Sequence, residues 1–295
     1  MKSKIQFLLS MVIFGTIGVF VRSIDLTSSE IALLRGLIGS LFLTTVLLIR
    51  KKKILWASVR VNALLLLLSS ITLGGNWIFL FQAYKYTTIS NAALSYYFAP
   101  VFVLIFSPLL LKEKLSTKKL ICIGVAMLGM ILIVGSGGLS TSGLKDLIGI
   151  GFGLMAAVFY ASLMLLNKFI KNMDGLETTL IQLATATFLL MPYVFFTEGI
   201  GILEVSDSSI LLIFILGIVH TGIGFLLFFL GMQKLNGQSI ATLSYLDPIT
   251  SLLISAVILQ EQMTIVQMIG GTLLLGSTFV SEKQSFRSSK PVINR

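Results

Sequence analysis

The stretches Tyr97-Phe98-Ala99-Pro100 and Tyr245-Leu246-Asp247-Pro248, each followed by a glutamate (Glu113 and Glu261), decide the fold of this chain. The tyrosine, the proline and the glutamate recur at a single offset of 148 residues. Four further pairs keep this register, two of them after a one-residue shift: Gly74 and Gly222, Ala93 and Ala241, Gly124 and Gly271, Gly129 and Gly276. A match held over roughly 50 residues indicates a duplicated half. If each half has an odd number of membrane spans, the copies are inverted, which is typical of transporters.

Composition identifies a membrane protein. The chain has 295 residues, of which 56% are apolar and only 12% are charged, and its mean hydropathy is +0.98. Soluble domains carry about 25% charged residues, so this chain has half the usual amount. The net charge of +10 is read as a signal of membrane topology and not of nucleic-acid binding. The single cysteine, Cys122, lies in an apolar run and is interpreted as a packing residue.

Apolar runs of about 20 residues predict ten membrane-spanning helices, since each is long enough to cross a ~30 Å hydrocarbon core. The apolar run after Lys4 is interpreted as a retained first span, because no small-residue cleavage pattern follows it. The predicted spans are 5–22, 30–49, 62–83, 89–111, 118–136, 146–168, 176–196, 208–231, 239–259 and 264–281.

The basic residues predict the orientation of these spans. With the N-terminus inside, 18 of the 22 lysines and arginines fall on inside segments, and only Arg22, Lys85 and Lys145 fall outside. This bias predicts a plasma-membrane protein with both termini in the cytoplasm. It also places Glu113 inside and Glu261 outside, as antiparallel copies require. We therefore predict an all-α integral membrane protein with ten transmembrane helices in two inverted five-helix repeats around a central cavity. The repeats are residues 1–138 and 139–281, and a cytoplasmic tail follows at 282–295.

The chain resembles the EamA-type transporters of the drug/metabolite transporter superfamily over residues 5–281. The resemblance rests on the glycine-rich spans five and ten and on these motifs: Ala99-Pro100 with Lys112-Glu113-Lys114, Asp247-Pro248 with Gln260-Glu261-Gln262, and Arg35-Gly36. Phe14-Gly15 in span one departs mildly from the family pattern, since many members have tryptophan before this glycine. The resemblance implies a cavity that opens alternately to each side. It also implies that Glu113 and Glu261 are structural residues at water-accessible span ends, and Pro100 and Pro248 are assigned with them as hinge or structural positions.

Asp247 is the first candidate for a substrate or proton site. It lies at mid-membrane, where a charged side chain costs roughly 2.5–3.5 kcal/mol on insertion scales. Its counterpart in the first half is Ala99, so the carboxyl is not part of the shared scaffold. The alternative is a carboxyl that is neutral or paired inside the bundle and has no role in transport.

Two further ionisable residues are candidates within the spans. His220 is the only histidine, and imidazole exchanges protons near neutral pH; the alternative is a hydrogen-bonded core histidine. Arg35, whose counterpart at an offset of 147 is Gln182, lies about 7 Å below the outer end of span two. Arg35 is expected to attract a carboxylate or phosphate, to serve a gate or the scaffold, or to snorkel outward.

Aromatic and amide side chains complete the candidate set. Tyr97 and Tyr245 each stand one helical turn before a proline, and Asn76 places an amide beside Trp77. Aromatic rings can bind apolar or cationic ligands, although ordinary helix packing explains most aromatics in such a chain.

The sequence favours a secondary transporter over the alternatives. The expected activity is export of an amino acid or related metabolite by alternating access, with proton exchange as the preferred coupling. The second hypothesis is an exporter of aromatic cations, with Asp247 as the cavity acid. A membrane enzyme is a remote third hypothesis, because one histidine cannot supply a metal cluster and no Gly-x-Ser-x-Gly motif occurs. The predicted partners are a small-molecule substrate and the lipid bilayer, without nucleic acid, in a monomer or homodimer. No cofactor or metal is expected.

Overall fold

The protein is described by a computed structural model, and every regular element in the described part of the chain is helical. The described residues are 2–52, 54–111, 117–135, 141–197, 205–232, 235, 243–244 and 246–288. In the first half the helices are α1 (Lys2–Gly15), α2 (Ile17–Arg22), α3 (Ser28–Ile49), α4 (Trp56–Val61), α5 (Ala63–Tyr86), α6 (Ile89–Tyr96), α7 (Ala99–Leu111) and α8 (Thr117–Gly135). In the second half they are α9 (Thr141–Asn167), α10 (Gly175–Thr197), α11 (Asp207–Ile215), a π-helical segment (Leu216–Ile223), α12 (Gly224–Met232), α13 (Leu246–Val257) and α14 (Ile265–Ser288).

These helices form a multi-pass membrane protein. Seven helical stretches within the described residues are long and apolar enough to cross a membrane. Three shorter apolar helices are Leu120–Ile133, Leu246–Val257 and Ile265–Val280. Helices are required because the bilayer core supplies no water to the backbone N–H and C=O groups. The count of ten spans and their division into two repeats stay predictions.

The surface of the bundle is apolar, the reverse of a soluble domain. Large side chains such as Leu48, Leu109, Phe188, Phe196 and Val257 are more than two-thirds exposed. Small and polar residues are instead buried in the interior, including Ser69, Ser70 and Ser95. Contact between helices inside a bilayer depends on small residues and hydrogen bonds, because lipid tails are as apolar as leucine.

Glycines set the closest helix contacts. The Gly149-x-x-x-Gly153 pair of α9 packs within the molecule, with Gly149 against Thr87 and Gly153 against Ser95. On the opposite side, α8 crosses α14 at Gly129 and Gly270, where the two backbones meet without an intervening side chain.

The connections group at two ends of the bundle. At one end, which we call the lysine-poor end, residues 23–27 contact the start of α11 through the bond from Asp25 N to Ser209 Oγ (3.2 Å). At the other, lysine-rich end, residues 50–62 contact residues 168–174. There Asn62 donates to the Lys171 carbonyl and accepts from the Lys171 amide, at 2.9 and 3.2 Å.

Candidate functional site

Helical regularity is interrupted in three spans of the described residues. The first separates α1 from α2 at Thr16, and the second separates α6 from α7 at Tyr97 and Phe98. Pro100 explains the second interruption, because proline has no N–H to donate to the Tyr96 carbonyl one turn earlier. The third is the π-helical segment.

Side chains compensate for the widened π-helical turn. The Thr221 hydroxyl donates to the Leu216 carbonyl (3.0 Å), and His220 Nδ1 lies 3.3 Å from the Ile215 carbonyl. Each carbonyl lies five residues earlier, in the register of a π-helix. Segments of this kind occur often at functional sites. The turn places His220 and Thr221 towards α1 and α3.

Arg35 of α3 is a buried cation, with only 3% of its surface exposed. Its Nε donates to the Thr221 hydroxyl (2.7 Å), and its guanidinium lies 4.7 Å from the Trp77 ring centroid and 5.6 Å from that of Phe81. The snorkelling interpretation of Arg35 is therefore wrong, since the side chain is held inside the bundle.

No carboxylate of the described residues forms an ion pair with Arg35. Burying a charge without a paired counter-ion is costly, and its retention is a strong indication of function. The stacking fixes the plane of the guanidinium, and the Nε bond leaves its terminal nitrogens as the remaining donors.

A second polar group surrounds Asp247 at the start of α13. The Tyr97 hydroxyl is hydrogen-bonded to the Asp247 carboxyl. The Tyr96 ring lies 5.6 Å from that of Tyr97 and 5.3 Å from that of Tyr160. Tyr96, Tyr97 and Asp247 all keep part of their surface accessible.

Two tyrosines connect the arginine with the carboxyl. Tyr84 and Tyr96 each lie within electrostatic range of both Arg35 and Asp247. Arg35 and Asp247 form no direct ion pair. The site therefore brings a cation and a carboxyl within electrostatic range of the same two tyrosines.

Asn76 and Trp77 both belong to this site through α5. The Asn76 amide donates to the Ala156 carbonyl (2.9 Å) and is a hydrogen-bond partner of Tyr96. Trp77 is buried and forms one wall for Arg35. Asn76 thus fixes the position of a tyrosine, and Trp77 that of the arginine.

His220 has a partner at each ring nitrogen. Its Nε2 lies 2.8 Å from the Thr16 hydroxyl, and its ring centroid lies 4.7 Å from that of Phe20. With Nδ1 near the Ile215 carbonyl, this geometry matches the hydrogen-bonded core histidine of the alternative interpretation. Its contact with Thr16 joins the π-helical segment to the interruption of span one.

The remaining sequence candidates divide between the scaffold and the undescribed part of the chain. Pro100 lies in the first turn of α7 and Pro248 lies in α13, and their assignment as hinge or structural positions stays a prediction. Glu261 lies at the lysine-poor end, where its side chain is 9% exposed and pairs with the more exposed Arg22. Tyr245 and Glu113 lie outside the described residues.

Three residues of the site were missed in the sequence. Phe81 and Tyr84 follow Trp77 at spacings of four and seven, so one face of α5 carries all three, and this period was available in the sequence. Thr221 gave no such signal, because its importance depends on the π-helical register.

The comparisons with known proteins agree with a transporter. The model of the EamA-like transporter family matches residues 1–135 and 147–282. This chain is a member of the EamA-like transporter family. The uncharacterized transporter YxxF of Bacillus subtilis (strain 168) is 34% identical over 257 residues, covering 86% of this chain and 80% of that protein.

More distant relatives of this EamA-like transporter agree. An uncharacterized transporter of Archaeoglobus fulgidus is 26% identical over 279 residues, covering 94% of both chains. A solved crystal structure superposes with a TM-score of 0.61 at 19% identity, covering 98% of this chain and 99% of that one, and so shares the fold. Family and relatives point to transport rather than catalysis.

Proposed function

We propose that this EamA-like transporter is a secondary transporter for an amino acid or a related zwitterionic metabolite. It exports its substrate across the plasma membrane by alternating access between two inverted five-helix repeats. The observation that carries the proposal is that Arg35 and Asp247 both lie within electrostatic range of Tyr84 and Tyr96.

The charges of this site complement those of a zwitterion. Arg35 binds a carboxylate through two parallel hydrogen bonds, for which its stacked plane is already oriented. Asp247 binds an ammonium group, and the neighbouring tyrosine rings contact the apolar part of the substrate. A substrate carrying both charges compensates both ionisable side chains at once. A neutral substrate would leave the two charges of the site desolvated and unmatched.

Several observations support the inverted-repeat architecture. The family model matches the two halves of the chain separately, over residues 1–135 and 147–282. The tyrosine, proline and glutamate pattern recurs at an offset of 148 residues, and the basic residues favour opposite orientations for its two copies. Substrate sites of such transporters lie near mid-membrane at the repeat interface. Arg35 and Asp247 belong to different halves, as this arrangement requires.

Proton exchange is the coupling that the site favours. The Asp247 carboxyl can hold either a proton or a substrate ammonium group, and the Tyr97 hydroxyl is its hydrogen-bond partner. Entry of a proton therefore releases the ammonium group, and departure of the proton restores the site. Competition of this kind is sufficient to couple the two gradients.

Counterflow in proteoliposomes tests the proposal. Purified protein is reconstituted with an unlabelled panel of amino acids, nucleosides and quaternary amines inside the vesicles, and uptake of the matching labelled compound is measured. We expect exchange of at least one amino acid.

Asp247→Asn should reduce this exchange by at least about tenfold, since it removes the counter-charge of the ammonium group. Asp207→Asn, at an exposed acid of the lysine-poor end, is the matched control and should stay within about twofold. Absence of exchange for every amino acid refutes the substrate class.

An exporter of aromatic cations is the second candidate, favoured by the three tyrosines grouped around Asp247. The two proposals differ in their need for Arg35. A cation makes no use of the guanidinium, so Arg35→Gln should preserve drug protection in cells if this second candidate is correct. Asp247→Asn should abolish that protection while the protein stays folded. For the zwitterion, either substitution removes transport.

A further inference from the structure

Glu261, placed between α13 and α14, joins three elements at the lysine-poor end. Its carboxylate accepts hydrogen bonds from Arg22 at the end of α2 and from Ser255 of α13. It also accepts from the backbone N–H groups of Ile89 and Ser90, at 3.1 and 3.3 Å. These are the first residues of α6, whose N–H groups have no partner within the helix. We call this group, with Glu261 at its centre, the Glu261 latch.

A second hydrogen bond extends the latch. Ser90 Oγ and Ser255 Oγ lie 2.7 Å apart, and both side chains are buried. Because the Ser255 hydroxyl donates to Glu261, Ser90 is the donor to Ser255. A continuous path of hydrogen bonds therefore runs from α6 through α13 to the carboxylate.

Contacts of the latch connect the two halves of the chain. Arg22, Ile89 and Ser90 belong to the first half, whereas Ser255 and Glu261 belong to the second. Alternating access moves elements of one half against the other around the substrate site. Contacts that cross this interface at one end of the bundle must break before that end can open.

The latch lies directly beyond the candidate substrate site. Ser255 follows Asp247 by eight residues of α13, a rise of ~12 Å, and Ser90 precedes Tyr97, which directly follows α6, by seven residues, a rise of ~10.5 Å. Thr16, Tyr97 and Asp247 line or border the site from α1, α6 and α13, and the latch ties the ends of the same spans together. It therefore stands between the site and the lysine-poor end.

A cavity of about 770 Å³ opens on the other side of the latch. Arg22 lines this cavity together with Asp25, Gln82 and Lys85. The Arg22 side chain is 45% exposed, so water and salt reach this cationic partner of Glu261. A partly exposed ion pair is weak enough to break and form again in each transport cycle.

We infer that the Glu261 latch is the gate of the lysine-poor end, closed in this structure, and that separation of Arg22 and Ser90 from Glu261 opens the site to that side. This inference rests on the proposed alternating-access function. The sequence repeat supports it, because Ser255 and Glu261 correspond to Ser107 and Glu113 at the offset of 148. A gate at each end requires such a donor and acceptor in each half.

The test measures access to a buried position below the latch. Ser251 lies one turn before Ser255 on the same buried face of α13. A Ser251→Cys reporter is built on a Cys122→Ser background, so that it is the only thiol. Its rate of reaction with a membrane-impermeant thiol reagent is measured on intact cells and on inside-out vesicles.

Opening of the latch should change the two rates in opposite directions. With Arg22→Ala, we expect reaction from the lysine-poor side to become about tenfold faster (~1.4 kcal/mol). Reaction from the lysine-rich side should become slower, since the open states exclude one another. Glu261→Gln should act in the same direction, and Arg22→Lys should restore most of the original rate. Glu30→Gln is the matched control, because this carboxyl of the same end bonds within its own helix cap and should change neither rate.

Three outcomes overturn the inference. Unchanged rates in Arg22→Ala would show that the ion pair does not restrain access. Faster reaction from both sides, or an equal increase in Glu30→Gln, would show general loosening of the fold. The labelling needs no substrate, so an opposite change in the two rates supports the gate even where counterflow shows that the amino-acid assignment is wrong.

Discussion

Substitution of Gly129 by alanine offers a direct test of how the two halves pack. A Cβ at this position would lie 2.6 Å from the Gly270 carbonyl oxygen and 2.9 Å from the Leu274 backbone nitrogen. Backbone atoms cannot rotate away as a side chain can, so α8 and α14 must separate. Carbon–oxygen contacts between helices normally lie at about 3.3–3.6 Å, which requires a separation of roughly 0.7 Å.

The cost of this separation follows from dispersion forces. A gap of about 0.5–1 Å removes a quarter to a half of the attraction at each contact along the seam. Forced expansion of a packed interface typically costs about 1–3 kcal/mol. Gly124 of the same helix has no atom within 4 Å of its would-be Cβ, so Gly124→Ala is a matched control with the same change in helix propensity. The difference between the two variants isolates the steric term.

Thermal unfolding in detergent, followed by tryptophan fluorescence, measures this difference. We expect the Tm of Gly129→Ala to lie roughly 2–12 °C below that of Gly124→Ala. Gly270→Ala should resemble Gly129→Ala, because its Cβ would lie 2.6 Å from the Gly129 carbonyl oxygen. The double variant should cost less than the sum, since one separation relieves both contacts. Equal melting temperatures for Gly124→Ala and Gly129→Ala would refute this crossing of α8 and α14.

Two further predictions concern the interior and the lysine-rich end. Arg35→Lys keeps the charge but loses the planar donor pair that stacks on Trp77, so counterflow should fall at least about tenfold while the Tm changes little; unchanged counterflow would show that Arg35 acts only as a point charge. Asn62→Ala removes both hydrogen bonds to Lys171 and should destabilise the protein by about 2 kcal/mol. Lys52→Ala removes the ion pair with Asp174 at the same end, where the lysine side chain is 40% exposed, and should cost under about 1 kcal/mol. A lower Tm for Lys52→Ala than for Asn62→Ala would contradict the view that the Asn62 hydrogen bonds are the stronger contact.

The positions of several spans could be predicted because apolar length alone sets them. The predicted span 30–49 matches α3 (Ser28–Ile49), and 176–196 matches α10 (Gly175–Thr197). Both runs are bounded by polar residues that the bilayer core excludes. Interruptions inside spans were harder to predict, because hydropathy carries no information on which backbone carbonyl each N–H group bonds to. Pro100 signalled one of them, whereas nothing in the sequence around Thr221 signalled the π-helical turn.

Partners of the candidate residues required the folded chain. Arg35 had three interpretations in the sequence, and only its contacts with Thr221, Trp77 and Phe81 exclude snorkelling. Glu261 was expected to be structural, but Arg22, Ile89 and Ser90 lie more than 160 residues away from it, and these contacts could not be predicted from a local motif. Tyr84 was available from its spacing to Trp77 on α5.

Comparison of the repeat positions supports the proposed role of the two charges in binding a substrate. The counterpart of Arg35 is Gln182, which is buried and donates to Ser69 at 2.7 Å and to Asn167 at 2.6 Å. The neutral amide of Gln182 thus has hydrogen-bond partners within the bundle, at the position where the other half has the cation Arg35. The counterpart of Asp247 is Ala99, which is buried and apolar. The helical scaffold can therefore form without a charge at either position. The two halves differ in charge at both, with Arg35 opposite Gln182 and Asp247 opposite Ala99. Two costly side chains that break the repeat and lie within electrostatic range of the same two tyrosines are best explained by a ligand that carries both complementary charges.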